Sequence, residues 1–371
     1  MNIAFIKKKY TAYGGAEAFL TNIIIYLSYC EYNVHLITSN WIELRRVNIH
    51  EVKSLSLNSF LSNLTFNINA ARAVKAIKPD FTISLERTTC QDIYRAGDGC
   101  HMEWLEVRSL AEGFLKTLSI KFNPHHRLLL DLEKRVFTKT PIIIANSEMV
   151  KSQIIKHYNI PESKIRVVYN GVDLKKFSGE NKNIWKDEIR SKYKLPLNSP
   201  VVLFLGSGYE RKGLANVLYA MRRLDKEVRL LIAGRGDIDK YKAIARKLGI
   251  LDRVVFAGSV ENSEKYYSAA DVFVLPTLYD PFSNATLEAM ASGIPVITTK
   301  NNGACELIEN NKQGFVLQDM FDDEELSDRI NSLINNADSI GEQASKKAKD
   351  FSLSSTASCF LEIIHDVAVA K

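Results

Sequence analysis

Short β-branched runs alternate with amphipathic helical patterns along almost the whole chain, and this rhythm constrains the fold more than any single motif. Residues 3–6 read as a strand, 16–29 as a helix and 34–38 as a strand again. Strands follow at 81–85, 142–145 and 166–168, with helices at 69–77 and 148–157, the latter begun by Ser147 as N-cap. The rhythm restarts at residues 201–205 and runs through strands at 229–233, 254–257, 272–275 and 296–298, with helices near 213–223, 239–248 and 284–292. A polar, charged stretch at residues 178–199 separates the two series. Apolar strands covered by intervening helices build largely parallel sheets. The expected fold is therefore α/β, two Rossmann-like parallel-sheet domains facing a cleft. Residues 1–177 form the first domain, 178–354 the second, and 355–371 a closing apolar helix.

Composition sets the outer limits. A chain of 371 residues accommodates two domains, and 46% hydrophobic residues exclude disorder as a global state. The net charge of +6 arises from 49 basic against 43 acidic residues. It suggests anionic partners without choosing among nucleic acid, a phosphorylated metabolite and a membrane surface. Nucleic acid is disfavoured, because no zinc finger, helix-turn-helix signature or concentrated aromatic and basic surface is present. Cysteines 30, 90, 100, 305 and 359 form no close ligand pair, so neither a disulfide scaffold nor a metal site is expected. Residues 2–8 are too short for a signal-peptide core, and no stretch approaches about 18 uncharged apolar residues. A cytoplasmic protein without a cofactor is the expectation.

The turns after strands carry the chemistry. Gly14 and Gly15, followed by Glu17, lie between the first strand and its helix, and residues 206–213, with Gly208, Arg211 and Lys212, repeat that placement in the second half. Glycines let backbone approach a ligand, and a helix start offers N–H groups to an anion. Neither turn is a dinucleotide fingerprint or a phosphate loop. The competing readings are a tight turn for the glycines and a solvated pair for the cations. Two cations at a helix start oppose the macrodipole unless an anion joins them. Gly234 ends a third strand and reads mainly as a structural turn. Asp280 stands in a loop and Glu288 in the following helix, placed to hold sugar hydroxyls from two directions or to be a turn residue and an exposed carboxylate.

In order, Gly14-Gly15, Arg211-Lys212-Gly213, Gly234-Arg235-Gly236 and residues 276–295 resemble the retaining, two-domain glycosyltransferases of family 4, of GT-B fold, over nearly the whole chain. The resemblance implies that Asp280 and Glu288 bind a donor sugar nucleotide, with Glu288 on ribose hydroxyls. Asp280 is one methylene shorter than the family's usual glutamate. Arg211 and Lys212 would neutralise the donor diphosphate, Gly15 would face it, and Ser283, Asn284 and Ala285 would present backbone N–H groups. The final helix would cross back onto the first domain. Metal-independent transfer of a hexose is implied, with glucose from UDP-glucose as the expected sugar and donor.

Residues 94–101 resemble the corresponding part of the lipopolysaccharide core glucosyltransferases, where an aspartate lies on the acceptor side. Asp98 is the candidate for that contact, with Arg95 and His101 as neighbours able to hold it or an acceptor phosphate. The competing reading is a local Asp-Gly turn. Trp104, Val107, Leu110, Phe114, Leu118 and Phe122 recur at helical spacing, which fits packing within the domain. With Lys7 to Lys9, His125, His126 and Arg127 nearby, the same stripe also suits peripheral contact with the cytoplasmic face of an anionic membrane. The expected acceptor is a lipopolysaccharide core sugar or another phosphorylated glycolipid. Another glycan or lipid-linked acceptor, and a noncatalytic sugar-nucleotide-binding protein, are the alternatives.

Overall fold

The computed structural model describes residues 1–10, 20–21, 23–25, 27, 29, 32–55, 57–112 and 123–370, with the side chains of 111–112 and 368–370 outside that description. The chain divides into two compact units, Met1–Asn170 with Thr356–Lys371, and Gly171–Ser355.

The first unit holds strands β1 (Asn2–Ile6), β2 (Asn33–Thr38), β3 (Val47–Glu51), β4 (Phe81–Ser84), β5 (Ile93–Ala96), β6 (Ile142–Ala145) and β7 (Ile165–Val167). They form one sheet in the order β3-β2-β1-β4-β5-β6-β7, and every pairing is parallel. Strand periodicity explains how both faces are buried. Ile3 and Phe5 of β1 join a core with Leu20, Ile23, Leu36 and Ile83, while Ala4 and Ile6 pack on the other side with Phe66 and Ala70.

Helices α1 (Ser59–Ile77), α2 (His101–Glu112), α3 (Pro124–Lys139) and α4 (Glu148–Tyr158) belong to this unit. Ser147 caps α4, accepting from the Val150 N–H at 3.2 Å.

The second unit holds β8 (Val201–Leu205), β9 (Arg229–Ala233), β10 (Val254–Gly258), β11 (Val272–Leu275), β12 (Val296–Thr299) and β13 (Gly314–Leu317). Their order is β10-β9-β8-β11-β12-β13, again all parallel. Its helices are α5 (Asn181–Lys192), α6 (Leu214–Arg223), α7 (Ile238–Lys247), α8 (Ser263–Ser268), α9 (Asn284–Ala291), α10 (Asp323–Ile334) and α11 (Ala337–Ala348). The last helix, α12 (Leu353–Ala370), places Phe360 and Ile364 in the first unit's core.

In both sheets the strand order reverses direction at one point, between β1 and β4 in the first and between β8 and β11 in the second. Open parallel sheets bind ligands beyond the carboxyl ends of the strands at such a reversal.

The polar stretch at residues 178–199 is not a spacer. It contains α5, which packs on α8, and Arg190 is buried, donating to the carbonyls of Ala269, Leu197 and Ser199 and to Asp271 Oδ2. The compact units divide earlier, between Asn170 and Gly171. Strands β3, β5 and β13 were not expected. Edge strand β3 carries Asn48, His50 and Glu51, and β5 is only four residues long with an arginine in it. Neither shows a long apolar run.

Candidate functional site

The loops leaving β8 and β11 flank the reversal in the second sheet. Gly213, at φ +79°, sits where an added Cβ would lie 2.1 Å from the Pro276 carbonyl oxygen, so only glycine lets the two loops meet. The Leu278 N–H and the Thr277 hydroxyl both donate to the Arg211 carbonyl, at 2.8 and 3.0 Å. This lacing brings side chains 68 residues apart in sequence together. Lys212 Nζ donates to Asp280 Oδ2, and Arg211 Nη1 lies 3.8 Å from the same oxygen. Arg211 Nη1 also donates to the Tyr279 carbonyl at 2.9 Å.

Lys212 is only 8% exposed. Burial pushes its ammonium below the usual lysine range, Asp280 opposes that shift, and Arg211 adds to it. A buried ammonium and a partly exposed guanidinium thus share one carboxylate, leaving a local excess of positive charge.

Beside them starts helix α9. Ser283 caps it, its Oγ accepting from Thr286 N–H at 3.4 Å. Asn284 and Ala285 occupy the first helical positions, whose N–H groups point out of the helix end. Ser283 differs from the expectation for its backbone, since its N–H donates to Asn302 Oδ1 at 3.0 Å and is not offered to a ligand. Buried Asn302, absent from the sequence-based set, also accepts from Ala304 N–H at 3.1 Å and donates to the Thr298 hydroxyl at 2.8 Å.

Glu288, one turn along α9, accepts from the Tyr267 hydroxyl at 2.9 Å, and the same hydroxyl lies 3.1 Å from the Ala285 carbonyl. Burial raises the Glu288 carboxyl above the usual range, with Tyr267 and Lys176 pulling it back. Gly234 serves the fold itself, because a Cβ there would meet the Gly206 carbonyl oxygen at 2.1 Å. Gly208 gives its N–H to the Arg235 carbonyl at 2.8 Å, so it offers a ligand close approach to Cα rather than a donor.

The first unit carries the other predicted cluster. Asp98 follows β5, with its side chain 60% exposed and 3.6 Å from Arg87 Nη1. Arg87 Nε and Nη2 donate to Glu133 Oε1 at 3.2 and 3.1 Å. Glu133 is fully buried and accepts from the His101 N–H at 2.8 Å and from the Tyr158 hydroxyl at 2.6 Å. A carboxylate thus closes the N-terminus of α2 while fixing the arginine that faces Asp98. Sequence reading missed Glu133, which lies in the middle of an unpredicted helix.

Two predicted neighbours change role. Arg95 is 1% exposed and its Nη2 donates to Asn170 Oδ1, so it is a core residue rather than an acceptor contact. The cation facing Asp98 is Arg87 instead. Burial, then Arg87, then the neighbouring His126 and His125 push the His101 imidazole down to about 3, so it is neutral and brings no charge to a phosphate. Its Nε2 is 3.1 Å from His126 Nδ1.

Gly14, Gly15 and Glu17 lie outside the described residues, as do Phe114, Leu118 and Phe122 of the apolar stripe. Leu110 of that stripe is 88% exposed. Glu103, Glu106 and His157 converge as a metal site would, but Lys156 Nζ stands 2.9 Å from Glu103 and 3.3 Å from Glu106, occupying the acidic oxygens with a cation. No helix among the described residues is long and apolar enough to cross a membrane.

Residues 13–176 match the model of Glycosyltransferase Family 4, and residues 186–351 match that of Glycosyl transferases group 1. The chain is built from these two glycosyltransferase domains. Its fold is GT-B. The uncharacterized glycosyltransferase MJ1607 of Methanocaldococcus jannaschii is 32% identical over 179 residues, covering 46% of this chain and 45% of that protein. The chain thus spans about half the length of the curated relatives it matches first. The lipopolysaccharide glucosyltransferase WaaG of Escherichia coli is 23% identical across 88% of each chain. A crystal structure of WaaG, a glycosyltransferase involved in lipopolysaccharide biosynthesis, superposes with a TM-score of 0.84 at 21% identity over 98% of this chain and 99% of that one. The Anabaena protein HepE in complex with UDP-glucose gives 0.73 at 18% identity over 99% and 100%. Across these two glycosyltransferase domains, Asp98 and the Arg87–Glu133 pair fall in the family 4 segment. Arg211, Lys212, Asp280 and Glu288 fall in the group 1 segment.

Proposed function

We propose that this chain is a retaining hexosyltransferase that moves glucose from UDP-glucose to a sugar hydroxyl of a lipopolysaccharide core. The observation that carries the reading is the convergence of Lys212 and Arg211 at the sheet reversal beside the α9 start. Leaving-group charge is the main electrostatic demand of glycosyl transfer from a nucleoside diphosphate. Donors aimed at developing charge are worth most where water is excluded, as around Lys212. The lipopolysaccharide glucosyltransferase WaaG and the UDP-glucose bound to HepE support the choice of donor and acceptor.

In this mechanism the donor diphosphate binds against Arg211, Lys212 and the N–H groups of Asn284 and Ala285. Lys212 then bridges Asp280 and a phosphate oxygen, and Asp280 holds the ammonium in place while reaching the sugar ring. Glu288 accepts from the ribose hydroxyls. As the anomeric carbon–oxygen bond breaks, the departing phosphate takes up charge and removes the proton of the acceptor hydroxyl attacking from the same face. That same-face attack keeps the anomeric configuration. Asp98, exposed and braced by Arg87, orients the acceptor. The protein acts from the cytoplasmic face of the inner membrane, where such acceptors are displayed.

Glu288 gives this reading a pH signature. Its free-state pKa is raised, whereas two ribose hydroxyls donating to the carboxylate lower it in the complex, so donor affinity is full above the free-state value and falls as pH drops through it. The decline should begin at a higher pH than for an ordinary carboxylate. Calorimetric titration of UDP-glucose across pH should show that limb in the native protein and lose it in Glu288→Gln. An unchanged profile in the variant removes Glu288 from the ribose contact.

A saturation-transfer screen of sugar nucleotides tests the reading as a whole. UDP-glucose should bind, and Lys212→Gln should weaken it. Binding of another phosphorylated ligand with no sugar nucleotide bound rejects the transferase assignment.

A further inference from the structure

The reversal in the first sheet has its own cavity, of about 390 Å³, lined by Lys7, Lys8, Lys9, Ser59, Ser62, Asn63, Glu86 and His125. The three lysines leave the carboxyl end of β1, and Glu86 follows β4, so the cavity stands at the position where the second sheet gathers Arg211, Lys212 and Asp280.

Among the described residues its charges do not balance. Lys7 Nζ pairs with Glu86 at 3.2 Å, and the Lys8 backbone N–H donates to the same carboxylate oxygen at 3.2 Å. The Lys8 ammonium donates to the neutral Asn63 Oδ1 at 2.7 Å. Among the described residues, neither Lys8 nor Lys9 has a carboxylate within ion-pair distance, and the described lining sets one carboxylate against three ammonium groups. Burial lowers the Lys8 ammonium from its ordinary range, with Glu86 opposing that shift and Lys9 adding to it, and burial followed by Lys8 lowers the His125 imidazole. A dianion would relieve both.

The remaining wall suits a phosphate. Ser59 and Ser62 bring hydroxyls from the start of the 19-residue helix α1, whose first turn has no acidic residue to meet the dipole. His125 Nδ1 is buried and has no hydrogen-bond partner among the described residues.

We propose that this cavity binds a phosphomonoester carried by the acceptor, with Lys8, Lys9, Ser59, Ser62 and His125 as its ligands. The proposal rests on the transferase reading only for the word acceptor; the phosphate site stands on the cavity alone. It would favour a phosphorylated acceptor over its neutral form by placing that group at a fixed point of the first unit.

Glucose 6-phosphate is a suitable probe, followed by phosphorus NMR line broadening in the presence of excess UDP to fill the donor site. Broadening should persist under UDP, be absent with Lys8→Met/Lys9→Met, and reflect an affinity loss of at least about tenfold, as expected for two charge-assisted contacts. Ser59→Asp is the second variant, since an acid in the first turn suits the helix while repelling the phosphate. Vesicles containing phosphatidic acid form a parallel arm. Sedimentation with them that the same variants abolish, without glucose 6-phosphate binding, keeps the phosphomonoester site and assigns it to a lipid headgroup.

Broadening that UDP abolishes, or that all variants retain, overturns the proposal, as does the absence of binding in both arms. UDP-glucose binding measured on the same proteins without UDP separates the two readings. Its loss from the native protein rejects the transferase while leaving the cavity result intact, and its survival beside a failed cavity rejects the cavity alone.

Discussion

Replacing Lys212 with glutamine should slow glucose transfer by on the order of a hundredfold, equivalent to about 3 kcal/mol of lost transition-state stabilisation. The size follows from burial. An exposed lysine near a phosphate is screened by water and salt, whereas Lys212 is enclosed and already held against Asp280. Its charge is aimed before the donor arrives, so little reorganisation remains for the reaction itself. Glutamine keeps a donor for Asp280 and preserves the loop, but it cannot offset a second negative charge on the leaving diphosphate. Steady-state kinetics should show most of the loss in kcat. Equal transfer rates in native and variant protein, with matching melting temperatures, would remove Lys212 from the reaction.

The second large effect is on folding. Glu133→Leu strips a fully buried carboxylate from Arg87, the start of α2 and Tyr158 together. Breaking a buried pair from one side costs about 3–5 kcal/mol, because the other charge stays buried. For a unit of this size that corresponds to a fall in melting temperature on the order of 10 °C. Arg87→Met added to Glu133→Leu should recover much of the loss, since the pair is then replaced by apolar groups. The double variant should nevertheless turn over acceptor poorly, because Asp98 has lost its brace. Additive destabilisation in the double variant contradicts the coupling.

These two sites also show what the sequence makes legible. The 206–213 and 276–283 loops stand out because strand, glycine turn and helix start follow one another locally, and the chemistry sits on that local pattern. Glu133 has no such signal. Its partners Arg87 and His101 lie 46 and 32 residues away, and the packing of α3 against β5 and β6 brings them together. Arg95 was misplaced for a related reason. Without recognising β5 as a strand, there is no way to see that its side chain turns into the core while Asp98, past the strand end, stays exposed. The helix inside residues 178–199 was hidden by its polar outer face, since only Ile189 and Arg190 of α5 are buried.

The two glycosyltransferase domains are proposed to transfer glucose with its configuration kept. Incubation with UDP-glucose and isolated lipopolysaccharide core, followed by mass spectrometry and proton NMR of the product, tests it most directly. One added hexose joined through an α-linkage, as in the donor, is the expected product. A β-linked product, or a core left unmodified while UDP-glucose binds, would contradict the proposal.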